Sequence, residues 1–465
     1  MKNTLLINKE NKWKEKYEKY YNLIECKDIN NNKVLIEEKT YFAYLELKKN
    51  LSNKNISIGI TSAYRSITDQ EKLRKELSEA RGKDYIKCYV AEKDESEHTT
   101  GLAIDIAVLI NGQYEDDTEE AYKLLEQIHT SLKDFGFILR YPKEKEKITG
   151  YNYEPWHIRY VGKIPANIIM NNNLTLEEYL KTYSAILYVN KEKGKTSYDI
   201  VNEISKLFGI KKVGHTGTLD PLAEGVLIVC IGEACKIVEL LTAEDKEYEA
   251  GVELGILTDT LDITGNIIDK KEIPSDIDLE KILSCFKKTY LQEVPIYSSI
   301  KVNGKKLYEY AREQKEVILP KKEVTIKEIK LLNKKYNTFT FKALVSKGCY
   351  IRSLIRDIGE VINTCATMTS LIRTKQGKIK LEDTNTLDEI RNMNAKIHSI
   401  EEVLNYQVIT VDKETEFKIK NGITLYNEWN IKDKCLFKNK KGTLLGIYQV
   451  KGNHLKTWKN LRNDL

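Results

Sequence analysis

The sequence predicts a multidomain chain: two larger domains of mixed helix and strand, then a small domain of short strands. Three observations predict it. The chain has 465 residues, several times the roughly 100 to 200 of a single domain. Unusual polar residues thin out after Gly162, a helix-like stretch with a threonine cap (LTLEEYLKTY, Leu174 to Tyr183) closes that region, and the chain starts over at AILYVNKEKGKTS without a Pro/Gly/Ser linker. After Val403, short alternating stretches (Val408 to Val411, Cys435 to Lys438, Leu444 to Val450) replace the mixed pattern. The domains expected on this basis are 1–181, 184–403 and 404–465.

Composition excludes several classes. A chain that is 41% hydrophobic buries real cores, so wholesale disorder is ruled out. Lys+Arg 75 against Asp+Glu 69 leaves +6, which permits a nucleic-acid partner without demanding one and makes any basic footprint local. The eight cysteines form no CxxC pair, which fits neither a disulfide scaffold nor a zinc ribbon and predicts reduced thiols. The N-terminus offers only Leu5, Leu6 and Ile7 before charge resumes, short of the about 7 to 15 apolar residues of a signal peptide. Apolar runs such as Gly225 to Gly232 fall well below the about 18 residues needed to span a bilayer. A cytoplasmic protein with no membrane anchor is expected.

In the first domain, residues 3 to 60 read as a short strand, a polar stretch, a helix around Tyr41 to Leu51 and an alternating strand at Ile56 to Thr61. From Thr61 the polar motifs crowd together: SAYRSITDQ, SEHTTGLAID and EPWHIRYVG. Of six histidines in the chain, two sit with carboxylates, His98 with Asp105 and His157 with Glu154. Two imidazoles and one carboxylate make a three-ligand set that leaves zinc's fourth position open, the arrangement of catalytic sites. Glu154, beside a ligand in sequence, suits the role of base. Pro155 disfavours the α conformation at Glu154, so this is not a helical HExxH site. Taken singly, each signal is weak, since a lone His or Asp is more often structural.

Together and in this order, the three motifs resemble the VanY-type D-alanyl-D-alanine carboxypeptidases over residues 3–181. The resemblance implies an α+β zinc D,D-peptidase-like domain with His98, Asp105 and His157 as Zn2+ ligands. It makes Glu154 the catalytic base and proton donor to the leaving amine, and Arg65 the catalytic stabiliser of the oxyanion. Ser96, Tyr64 and Gln70 would shape a pocket for a D-Ala-D-Ala-terminated peptide. With no export signal, that peptide would be cytoplasmic. The alternative is a catalytically inactive domain acting as a binding or docking module.

In the second domain the most informative stretch is KKVGHTGTLDPLAEGVLIVCIGEACK, Lys211 to Lys236. Its glycines indicate tight geometry around one acid, Asp220, followed by a buried strand. No GKS or GKT follows, so a phosphate loop is a poor fit. On composition alone, Asp220 before Pro221 reads as a turn or cap. The stretch nevertheless is similar to the catalytic motif of the TruB-type tRNA pseudouridine synthases, and further matching motifs follow in order: DKEYEAGVELGILTDTLDITG, VPIYSSIKVNGKKLYEYAR, SKGCYIRSLIRDIG and TSLIRTKQGKI. The resemblance covers Ala185 to the C-terminus. One departure is Glu192, where the family usually has proline.

This resemblance implies an α/β mixed-sheet pseudouridine synthase domain that converts the T-loop uridine of tRNA (uridine-55) to pseudouridine. The rearrangement is redox-neutral and needs no cofactor. Asp220 would be the catalytic residue, attacking the nucleotide covalently or acting on the ribose; both routes remain open. Arg352 would pair with Asp220 and keep it ionised. Tyr350 would lie near the base and assist proton removal, Tyr248 would stack on the flipped base, and His215 would fill the space that base vacates. The ordinary alternative, tyrosines as half-buried core residues, is the default for most of the 28 present.

The tail concentrates charge: from Ile431 to Leu465 nine basic residues, Lys438, Lys440, Lys441 and Arg462 among them, face two acids, Asp433 and Asp464. With the KIKNG turn at Lys418 to Gly422 and the hairpin-like KNKKGT at Lys438 to Thr443, it resembles the small all-β PUA-like domain of bacterial TruB proteins. That implies a grip on the tRNA T arm through phosphates, by Lys438, Lys440 and Lys441. A monomer is expected. At the junction, Thr182, Tyr183, Ser184 and Ala185 stand where a free-standing TruB-type protein would start with methionine, and the nearest upstream methionine is Met170, which favours one continuous polypeptide.

Overall fold

The computed structural model describes residues 2–461. Arg462 and Asp464, counted in the basic tail, lie outside the described residues. The chain divides into two compact units, one running to Tyr183 and including Glu203–Val213, the other combining Ser184–Asn202 with Gly214 onward.

The first unit is built on an antiparallel sheet in the order Ile58–Ser62, Ala103–Ile110, His157–Tyr160, Phe137–Leu139, with Gln113–Glu115 added to the second strand. A separate hairpin pairs Leu23–Lys27 with Lys33–Glu37. Two helices, Glu38–Ser52 and Glu119–Leu132, supply Leu47, Leu51, Leu125 and Ile128 to the core, against Ile58, Ile60, Ile104, Ile106 and Ile158 of the sheet. Thr118 accepts the Ala121 amide and so fixes the start of the second helix. This is the α+β arrangement expected. The segment Leu5 to Ile7 is irregular, and Arg159 Nη2 donates to the carbonyls of Asn3 and Leu5. The closing helix is Leu176–Thr182, held by the predicted cap at Thr175 in a full capping box with Glu178.

The second unit has a nine-stranded sheet. Its main order is Thr289–Glu293, Lys321–Lys335, Thr338–Val345, Lys246–Leu254, Ala366–Gln376, Glu224–Gly232, Ser184–Lys191. Neighbours along this path are antiparallel except Glu224–Gly232 beside Ala366–Gln376, so the sheet is mixed, as expected. Glu224–Gly232 is the buried strand read from Gly225 to Gly232. Helix Ile351–Ile362 buries Ile351, Leu354, Ile355, Ile358 and Ile362 and packs on the strand Ala366–Gln376.

The tail forms a five-stranded sheet, ordered Gln407–Val411, Lys434–Asn439, Leu444–Lys451, His454–Asn460, Leu425–Tyr426. It is not all-β. Helix Lys413–Lys420 follows the first strand, capped by Asp412 and laced by Glu414–Lys418 and Glu416–Lys420 pairs, so the KIKNG segment ends a helix rather than making a free turn. Leu436, Ile447 and Leu461 of the tail share one buried cluster with Ile186, Val226 and Ile228 of the large sheet.

Candidate active sites

In the first unit, sheet register creates the site. Asp105 and His157 are direct antiparallel partners on neighbouring strands, which puts their side chains side by side on one face. His98 arrives from the short 3-10 helix Glu97–Thr100, ended by Gly101 at φ 67°. A Cβ on Gly101 would lie 2.9 Å from the Glu37 amide nitrogen, so both conformation and space require glycine there. In the EPWH turn, the His157 amide donates to the Glu154 carbonyl at 3.3 Å, folding Glu154 back over the ligand it precedes.

One donor atom each from His98, Asp105 and His157 lies within 4.8 Å of the others. The tautomers are set by backbone and carboxylate partners. His98 Nδ1 lies 2.6 Å from the Ala63 carbonyl, leaving Nε2 facing Asp105 Oδ2 at 3.3 Å. His157 Nε2 lies 3.2 Å from Glu97 Oε1, leaving Nδ1 3.1 Å from Asp105 Oδ1 and 3.5 Å from Glu154 Oε2. Asp105 Oδ1 is buried without a hydrogen-bond partner among the described residues. Two imidazole lone pairs and an unsatisfied carboxylate oxygen turned toward one point fit a zinc ion. Burial, with Asp105 and Glu97 nearby, pushes the Glu154 carboxyl up to about 8 against the opposing effect of His157.

These groups line a cavity of about 150 Å³ that also includes Arg65, Gln70, Ser96, Tyr89, Tyr141 and Trp156. Arg65 Nη1 donates to Gln70 Oε1 and Nη2 to Ser62 Oγ, both at 2.7 Å. Tyr64, expected in the pocket, is not among its lining residues. Sequence reading missed Glu97 altogether. Its carboxylate, held well below the usual range by Arg159 and Arg140 although burial opposes this, is the buried hub of the site.

In the second unit, Asp220 sits in the loop between Val213–His215 and Glu224–Gly232 and meets Arg352, from the first turn of Ile351–Ile362. The guanidinium grips the carboxylate with two prongs, Nε to Oδ2 at 2.8 Å and Nη2 to Oδ1 at 3.1 Å. Arg352 also donates to the carbonyls of Thr260 and Tyr297, each at 3.0 Å, which fixes the fork itself. Burial raises the Asp220 carboxyl above its ordinary value despite Arg352. Tyr248 and Tyr350 line the same cavity, about 260 Å³, with Tyr297, Lys246 and Arg373. Burial raises the Tyr350 phenol. The sequence-predicted quartet of Asp220, Tyr248, Tyr350 and Arg352 therefore converges. His215 does not line this cavity: it is half-buried beside the loop, its Nδ1 accepting from the Gly217 amide at 3.2 Å.

The loop holding Asp220 is clamped by residues not singled out from sequence. Buried Arg373 donates to the carbonyls of Val226 (2.6 Å) and Gly217 (3.1 Å). Gln376 Nε2 holds the Thr216 carbonyl and hydroxyl, and Ser197 Oγ takes the Leu219 amide at 2.8 Å. A Cβ on Gly225, at φ 102°, would stand 2.3 Å from the Arg373 carbonyl oxygen, so this glycine permits the close approach of the two strands. Lys440 and Lys441 are exposed in the turn between Lys434–Asn439 and Leu444–Lys451, and Lys438 is partly exposed beside them.

Comparison with known proteins agrees with this division. Residues 205–351 match the TruB family pseudouridylate synthase (N terminal domain), and residues 352–414 match the tRNA pseudouridylate synthase B C-terminal domain. Residues 33–163 match the D-alanyl-D-alanine carboxypeptidase family VanY. The chain is 39% identical over 278 residues to tRNA pseudouridine synthase B of Caldanaerobacter subterraneus subsp. tengcongensis, covering 58% of this chain and 96% of that protein. It is 41% identical over 277 residues to the protein of that name from Fusobacterium nucleatum subsp. nucleatum, with the same two coverages, 58% and 96%. A solved vancomycin resistance D,D-pentapeptidase VanY in complex with Zn(II) is 30% identical, covering 39% of this chain and 99% of that one, at a TM-score of 0.33.

Proposed function

Because the chain belongs to the tRNA pseudouridine synthase B family, we propose that its second unit isomerises the T-loop uridine of tRNA to pseudouridine, and that its first unit is a zinc-dependent D-alanyl-D-alanine carboxypeptidase. The observation behind the first half is the two-pronged Asp220–Arg352 pair inside a cavity shared with two tyrosines. The bond from ribose C1′ to uracil N1 breaks, the base turns, C1′ bonds to C5, and the C5 proton is lost while N1 regains one; atoms and electrons balance with no cofactor. Asp220 acts at the glycosidic bond, paired with and aimed by Arg352. Tyr248 stacks on the extruded base and offsets part of its unstacking cost, a few kcal/mol. With its phenol raised by burial, Tyr350 holds its proton at neutral pH and serves as a hydrogen-bonding relay rather than as a free phenolate. Lys438, Lys440 and Lys441 engage phosphates of the T arm. Asp220→Asn protein should form no pseudouridine in a T-loop transcript; product at the unaltered rate would overturn the assignment.

For the first unit, the supporting observation is that one donor atom each from His98, Asp105 and His157 gathers beside a buried Glu154. When bound there, zinc supplies Lewis acidity to a scissile carbonyl and to water. Glu154 Oε2, 3.5 Å from His157 Nδ1, is placed to take a proton from the attacking water as a carboxylate and to return it to the leaving amine. Arg65, locked by Gln70 and Ser62, presents its guanidinium to negative charge developing on the carbonyl oxygen. Tyr89, Tyr141 and Trp156 give the cavity aromatic surface that suits a short peptide end. Among the described residues no helix is long and apolar enough to cross a membrane. We place both activities in the cytoplasm with a peptide substrate from that compartment. Chelator-sensitive release of D-alanine from a D-Ala-D-Ala-terminated peptide tests this; no release by folded, zinc-loaded protein would leave a binding or docking module instead.

A further inference from the structure

A fully buried charge cluster stands behind the proposed metal ligands. Glu97 has a fully buried side chain, and its two oxygens are divided between two tasks. Oε2 accepts from Arg140 Nε and Arg159 Nη1, each at 2.8 Å. Oε1 is left for His157 Nε2 at 3.2 Å. The arginines are themselves fixed. Arg140 continues to Glu177 through Nη1 at 3.0 Å and Nη2 at 2.7 Å, and Arg159 reaches the carbonyls of Asn3 and Leu5. Glu177 in turn accepts from Asn8 Nδ2. Two arginines and two glutamates thus balance in charge, and the network spans the N-terminal segment, the 3-10 helix bearing His98 and the closing helix Leu176–Thr182.

From this geometry, and resting on the zinc reading above, we propose that Glu97 is a positioning residue that holds His157 as the Nε2–H tautomer and so turns its Nδ1 lone pair toward the metal. A carboxylate needed only to neutralise the arginines would have no reason to offer its second oxygen to an imidazole. The consequence is an asymmetric ligand pair: His98, with Nδ1 on the Ala63 carbonyl, binds through Nε2, and His157 binds through Nδ1. Glutamine at position 97 cannot keep both contacts, because its amide NH₂ must face either the imidazole N–H or two guanidinium groups. A hydrogen-bonded carboxylate behind a metal-bound imidazole typically contributes about 10- to 100-fold in metal affinity.

The test uses the full-length protein and Zn(II) alone, with affinity read by competition with a chromophoric chelator. Glu97→Gln, shown folded by its circular dichroism, should bind Zn(II) about 10- to 100-fold more weakly; affinity equal to the unaltered protein overturns the proposal. Should the variant fail to fold, the unaltered zinc-loaded protein still decides. Two-dimensional ¹H–¹⁵N spectra of histidine-labelled protein should show His157 protonated at Nε2 and His98 at Nδ1, and the reverse tautomer at His157 overturns the proposal. Failure of the unaltered protein to bind Zn(II) at all would overturn the zinc reading and this inference with it, a result distinct from loss confined to the variant.

Discussion

Replacing Arg352 by lysine isolates the geometry of the synthase site from its charge. The guanidinium makes four contacts, two to Asp220 at 2.8 and 3.1 Å and one each to the Thr260 and Tyr297 carbonyls at 3.0 Å. A lysine ammonium keeps the positive charge but, as a point donor on a flexible stem, cannot span a fork and two divergent carbonyls. Loss of two such contacts at about 1.5 kcal/mol each lowers the preference for the ordered site by about 3 kcal/mol. Displacement of a reacting group by about 1 Å alone costs about 100-fold in rate. The single-turnover rate should therefore fall about 100- to 1,000-fold, which corresponds to about 3 to 4 kcal/mol of barrier. Tritium release from C5-labelled uridine in a T-loop stem-loop reads this directly, and filter binding should find RNA affinity little changed. A folded Arg352→Lys protein with a rate within about fivefold of the unaltered enzyme would refute the view that the two-pronged grip orients Asp220, because charge alone would then suffice.

Acidity gives a second expectation. The folded Asp220 carboxyl lies above its ordinary value, so it takes up a proton earlier as pH falls, and the rate of pseudouridine formation should decline through an acid limb displaced upward from that of an exposed aspartate. The sign for stability is the reverse of a paired surface acid: the folded state binds the extra proton, so this group's contribution decreases as pH rises from the ordinary value through the raised one. Lys191, whose Nζ donates to the Glu192 and Lys195 carbonyls, is pulled down to about 8 from 10.5 by burial. Between those values the unfolded chain binds more protons, so stability should rise with pH there, and Lys191→Met should flatten that slope in thermal melts. In the tail, Lys440→Ala with Lys441→Ala should weaken tRNA binding across all sequences and reduce the slope of log affinity against log salt by up to about 2, against the contrary outcome of an unchanged slope.

The chemistry-bearing residues were legible where a motif placed them next to each other in sequence. His98, Asp105, Glu154 and His157 come together because strand register makes Asp105 and His157 partners and a proline-bearing turn folds Glu154 over. The Asp220 loop was equally visible through its glycines. What escaped were residues that matter through distant partners. Glu97 lies beside a ligand in SEHTTG, but its role depends on Arg140 and Arg159, 43 and 62 positions away, and no periodicity encodes such a meeting. Arg373, Gln376 and Ser197 were hidden for the same reason: each clamps the Asp220 loop from another element. Tyr64 and His215 lie outside the linings of the two cavities, since motif membership does not say which way a side chain points. The helix Lys413–Lys420 was overlooked because few apolar residues mark it; its signals were the Asp412 cap and the Glu-to-Lys pairs four residues apart.

The central claim is that one chain holds two independent reaction centres. Its most direct test assays the full-length protein and two variants for both products, D-alanine from a D-Ala-D-Ala-terminated peptide with zinc and pseudouridine in a T-loop transcript. Glu154→Ala should lose D-alanine release and keep pseudouridine formation, while Asp220→Asn should do the opposite. Absence of D-alanine release from the unaltered, zinc-loaded protein, or persistence of either product in its own variant, would contradict the account.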